Sequence, residues 1–65
     1  MTQEQNLNIR LRMENLLQMG KRALEKGAID RVEKYQKECY GMEYTLKLLG
    51  YEVEIDEENC KVSIK

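Results

Sequence analysis

The stretch NLNIRLRM, residues 6–13, decides the fold, because its apolar residues Leu7, Ile9, Leu11 and Met13 fall at every second position. Alternation of that kind matches a half-buried strand. The flanking residues argue for a helix instead. Upstream, Thr2-Gln3-Glu4-Gln5 has the form of a capping box, in which the Thr2 hydroxyl accepts from the third helical N–H and the Gln5 side chain reaches back. Glu4 adds an acid to the first turn, where the helix dipole favours one. Downstream, MENLLQMGKRALEK carries helical spacing, and no Pro, Asn-Gly or Asp-Gly separates it from the octet. A strand at 6–13, paired with the C-terminal segment, is the competing reading, but it needs a turn that the sequence does not supply.

The expectation is therefore one helix over about residues 3–26. A rotation of about 100° per residue puts Ile9, Met13, Leu16, Leu17, Gly20, Ala23 and Leu24 on one stripe. Leu7 and Leu11 fall on the opposite side, so the alternation reflects two apolar faces of one helix. Gly27 suits the left-handed position that ends a helix, and Asp30 with Glu33 can cap a second one, or the helix can start earlier, at Ala28. That second helix is expected over about residues 29–49, with Val32, Tyr35, Cys39, Met42 and Leu46 facing inward. A short connection makes the two helices antiparallel neighbours. Folding the stripes together pairs Leu24 with Val32, Gly20 with Tyr35, Leu17 with Cys39, Met13 with Met42 and Ile9 with Leu46.

Residues 51–65 read as a β-hairpin. Gly50 is placed to end the second helix, with Tyr51 packing back on Leu46. Tyr51, Val53 and Ile55 alternate with Glu52 and Glu54, and Cys60, Val62 and Ile64 alternate with Lys61, Ser63 and Lys65. Taking DEEN, residues 56–59, as the loop sets Ile55 against Cys60, Val53 against Val62 and Tyr51 against Ile64, with Glu54 opposite Lys61. A two-stranded hairpin is rarely stable alone in water, so its apolar face must lie on the helices. The predicted class is α+β: an antiparallel two-helix hairpin followed by a C-terminal two-stranded β-hairpin packed on it, within a single domain, residues 1–65.

A chain of 65 residues buries only about 60% of its unfolded surface, so its core needs help from disulfides, metal, association or very regular packing. Two cysteines without a signal peptide fit a reducing cytoplasm, where they stay free. With no histidine and no CxxC pair, no metal or other cofactor is expected. No apolar run approaches a membrane span. Eleven Lys and Arg balance 12 Asp and Glu, and the sequence pI is about 5.4, which leaves little long-range attraction for nucleic acid or lipid.

Catalysis is not expected. The usual proton carrier is missing, and hydroxyl side chains are limited to Thr2, Thr45, Ser63 and four tyrosines. Glu52, Glu54, Asp56, Glu57 and Glu58 fall on an exposed strand face and turn. Cys39 and Cys60 both point inward, and they read as small buried hydrophobes rather than a redox pair.

Surplus apolar surface carries the functional reading. Tyr40, Tyr44 and Leu48 recur at every fourth position on the flank of the second helix, with Gly41 beside them. Together with Leu7 and Leu11 they form a candidate protein interface, since tyrosine combines apolar area with a polar tip. The expected activity is a small interaction module that self-associates as a dimer or tetramer and binds another protein as an adaptor or inhibitor. The alternative is a dimeric nucleic-acid-binding regulator that uses Arg10, Lys21 and Arg22.

ALEKGAIDRVEKY, residues 23–35, is similar to the junction between helices A and B of tetratricopeptide repeats. A hairpin follows where that repeat would continue with a helix, so the likeness is one of turn chemistry. The wider pattern of a helix pair joined at EKGAID, then YGMEYTLKLLGYEV and a short hairpin, resembles small uncharacterised proteins of Gram-positive bacteria and their phages or mobile elements. The shared pattern is structural. It implies a setting and no site.

Overall fold

Thr2 opens the first helix by accepting from the Gln5 N–H at 3.0 Å, while the Gln5 side-chain oxygen accepts from the Thr2 N–H at 2.9 Å. In the computed structural model, which describes residues 1–65, helix α1 then runs unbroken over Gln3–Glu25. The octet 6–13 is helical throughout. Its alternation separates two faces: Met13 is buried and Ile9 half-buried, whereas Leu7 and Leu11 are exposed.

Both helices end on a glycine in the left-handed region, with φ of +72° at Gly27 and +93° at Gly50. The Gly27 N–H donates to the Leu24 carbonyl at 3.0 Å and the Ala28 N–H to the Ala23 carbonyl at 2.9 Å. The Gly50 N–H donates to Lys47 at 3.0 Å and the Tyr51 N–H to Leu46 at 3.1 Å, so each end is a Schellman motif. Helix α2 covers Ile29–Leu48, but Asp30 does not cap it. Ala28 closes the first motif and at once becomes the N-cap of α2, without a side-chain hydrogen bond. Asp30 lies inside the first turn, where its charge still meets the dipole.

Strands β1 (Val53–Asp56) and β2 (Lys61–Ile64) form an antiparallel pair, two residues out of the expected register. Val53 faces Ile64, Glu54 faces Ser63, Ile55 faces Val62 and Asp56 faces Lys61. The turn is 57–60, because Cys60 takes φ of +52° and Asp56 stays in the strand. A slip of two preserves which face each side chain occupies, so Val53, Val62 and Ile64 remain buried and Ile55 half-buried. The partners change, however: Asp56 replaces Glu54 opposite Lys61, Cys60 moves into the turn, and Tyr51 loses Ile64.

Asp56 clamps that turn. Its carboxylate accepts from the Asn59 side-chain amide at 2.9 Å and from the Asn59 N–H at 3.2 Å. These bonds, the side-chain one foremost, hold the Asp56 carboxyl below its ordinary value. A depressed folded-state value means the stabilisation is present above the unfolded-state pKa and is lost as pH falls through the folded one. In an NMR pH titration, Asn59→Ala should move the Asp56 transition up towards that of a free carboxylate. An unmoved transition would mean that Asn59 does not hold the charge.

The hairpin lies along the groove between the helices, β2 against α1 and β1 against α2. Met13, Leu16, Cys39, Leu46, Val53, Val62 and Ile64 join in one core drawn from all four elements. The small-against-large pairing holds at Gly20, where an added Cβ would meet the Tyr35 Cβ at 3.8 Å. Leu24 departs from the expected stripe and is exposed. The hairpin bonds α1 no further along than Lys21, whose ammonium donates to the Glu58 carbonyl at 3.1 Å, and in the last turn of α1 Ala23 is buried while Leu24 is left exposed.

Candidate interaction surface

A row of polar side chains on α1, one or two turns apart, holds the outer edge of β2 and the turn before it. The Asn6 amide donates to the Ile64 carbonyl at 3.0 Å, the Glu14 carboxylate accepts the Val62 N–H at 2.9 Å, and Lys21 reaches the Glu58 carbonyl. Arg10 supports the row by donating to the Asn6 side-chain oxygen at 2.9 Å. Arg10 and Lys21, two of the cations assigned to the nucleic-acid alternative, are therefore engaged in holding the fold. Arg12 pairs with Glu38 across the helices at 2.7 Å, and Lys47 with Glu43 along α2 at 3.4 Å.

All five candidate interface residues, Leu7, Leu11, Tyr40, Tyr44 and Leu48, are exposed, Tyr44 by 65% and Leu48 by 69%. They do not form one surface. Leu7 and Leu11 lie past the polar row, on the side of α1 turned away from α2. Tyr44 and Leu48, one turn apart, lie on the outer side of α2, Tyr40 one turn before them borders the recess between the helices, and the hairpin stands between this group and Leu7 and Leu11. Helical rotation gave each group its direction around its own helix, but not the position of the hairpin. Leu49, also 69% exposed, lengthens the apolar end of α2 beside Leu48. Its signal was an apolar residue at the C-cap, where no intrahelical packing requires one.

Gly41 stands within the α2 flank, and no other element of the chain comes within 4 Å of where its Cβ would be. The Thr45 hydroxyl donates to its carbonyl at 3.0 Å, which is a bond within the helix. Neither feature explains a glycine in the middle of a helix.

The cysteines are free and buried. The Cys39 thiol donates to the Met13 carbonyl at 3.9 Å, and Cys60 to Glu57 at 3.7 Å. Burial first, then the charges of Glu43, Glu57 and Glu38, push the Cys39 thiol above its ordinary value. That environment favours the protonated form. No three of the Cys, Asp and Glu side chains gather as a metal-binding group, and no helix is long and apolar enough to cross a membrane. A recess of about 150 Å³ between the helices is bounded mainly by apolar side chains such as Leu16, Leu17 and Cys39, with Lys21, Gln36 and Glu57 as its charged and amide groups. Compared with protein families, curated proteins and solved structures, the chain matches none.

Proposed function

We propose that this chain is a protein-interaction module that self-associates through the outer flank of α2 and acts by engaging another protein, as an adaptor or inhibitor. One observation carries the reading: Tyr44 and Leu48 stand 65% and 69% exposed on α2, with the partly covered Tyr40 one turn before them completing an apolar row. Burying large apolar side chains contributes about 1.5–3 kcal/mol each, so a few of them weigh heavily for a domain this small. The free cysteines fit a cytoplasmic setting, in keeping with the resemblance to small proteins of Gram-positive bacteria and their mobile elements. A nucleic-acid regulator has less support, because Arg10 is bonded to Asn6 within α1 and Lys21 to the Glu58 carbonyl of the hairpin.

Amide spectra recorded over a dilution series test the reading residue by residue. Shifts that depend on concentration should centre on 40–48, and spectra unchanged by dilution would refute self-association. Gly41 offers a second check. Gly41→Ala should raise the stability of the dilute protein by about 0.5–1 kcal/mol, as an added Cβ meets no other element, while weakening assembly by crowding the approaching helix. Denaturation at low concentration, compared with association at high concentration, separates the two effects.

A further inference from the structure

The two edges of the sheet are treated differently. Glu52 and Lys65 exchange both backbone hydrogen bonds, at 3.0 and 2.8 Å, so alternation makes Glu54–Ser63 and Asp56–Lys61 the other bonded pairs. The N–H and C=O groups of Val53, Ile55, Val62 and Ile64 consequently point away from the partner strand. On β2, Glu14 takes the Val62 N–H and Asn6 supplies a donor to the Ile64 carbonyl. On β1, no group of the chain bonds the outward N–H or C=O of Val53 or Ile55.

We propose that β1 accepts an extended segment of a partner protein as a third, antiparallel strand, and that this segment alternates basic with apolar residues. The proposal rests on reading the chain as a protein-binding module, and it adds the chemistry of the partner. Charge selects the occupant. Five of the seven residues 52–58 are acidic, and Glu52, Glu54 and Asp56 share the exposed face of the strand. The strand that β1 already pairs with shows what suits it: Lys61 stands opposite Asp56 and Lys65 opposite Glu52, with Val62 and Ile64 opposite Ile55 and Val53. A strand on the free edge meets the same side chains and calls for the same alternation.

A second copy of β1 is excluded by the same rule. Antiparallel self-pairing centred on Glu54 sets Glu54 against itself, and a slip of two residues in either direction again sets acid against acid. Acids on an edge strand block pairing with like strands, and they leave a basic strand welcome.

The test uses the whole chain and a synthetic peptide, acetyl-Lys-Val-Lys-Ile-Lys-Val-Lys-amide. Titration followed by amide shifts should show saturable binding, centred on 53–55 and weakened by salt. In the antiparallel arrangement the Val and Ile amides of the peptide face β1 and its Lys amides face away. N-methylation of the Val and Ile amides should therefore weaken binding at least tenfold, whereas N-methylation of the Lys amides should leave it nearly unchanged. Glu54→Lys, an exposed substitution, should also weaken it at least tenfold. Absence of binding, or binding indifferent to which amides are methylated, would overturn the proposal and leave the acids as guards of an unused edge. The Tyr44→Lys, Leu48→Lys double variant separates this test from the preceding one: it should still bind the peptide after losing self-association. Self-association without peptide binding would sink the β1 proposal alone.

Discussion

Leu16→Ala should cost about 2–5 kcal/mol, which for this chain approaches its whole stability. Leu16 is 1% exposed and belongs to the cluster where α1, α2 and both strands meet. Removing most of its side chain takes contacts from the helix pair and the hairpin at once, and a backbone held by two Schellman turns has little freedom to collapse into the gap. A domain of 65 residues has roughly 3–10 kcal/mol to lose, at about 0.05–0.15 kcal/mol per residue. Urea unfolding at low protein concentration should therefore show the variant largely unfolded in buffer or with a steeply lowered midpoint. Leu48→Ala, at a position 69% exposed, should shift the same midpoint by no more than about 0.5 kcal/mol. Equal effects of the two substitutions would mean that the core is not where the fold places it.

Tyr44→Lys combined with Leu48→Lys should dissociate the proposed assembly while leaving the fold intact. Both side chains point away from α1 and the core, and two ammonium groups on one flank repel a second copy of that flank. Association that stabilises the folded chain makes the unfolding midpoint rise with protein concentration. The wild type should show this dependence and the double variant should lose it, with both converging to similar midpoints when dilute. A variant that assembles as the wild type does would move the interface to another surface, with the Leu7 and Leu11 flank the next to test.

Much of the architecture was legible because it depends on neighbours in sequence. Thr2 and Gln5 form their box three residues apart, and Gly27 and Gly50 each end a helix through bonds that span six residues or fewer. The same local cues settled the octet 6–13 as helix. The hairpin register was less legible, since it turns on Cys60 entering the left-handed region, where a glycine or asparagine would have been the recognisable sign. The grip of Asn6 and Glu14 on β2 left no trace in the sequence, because their partners are backbone groups 58 and 48 residues away. Both read simply as polar positions on a helix. The candidate surface was legible only as exposure, which each of its members has. Its division into two flanks depends on where the hairpin lies, which no helical rotation reveals. The open edge of β1 followed from the register and from which edge α1 covers, so it emerged only with the fold.

Sedimentation equilibrium over a concentration series, in reducing buffer, tests self-association most directly. The weight-average mass should rise from 7.7 kDa at the lowest concentration to a multiple of it, and Tyr44→Lys with Leu48→Lys should hold it at the monomer value throughout. A wild-type mass that stays at 7.7 kDa over the whole series would contradict the account.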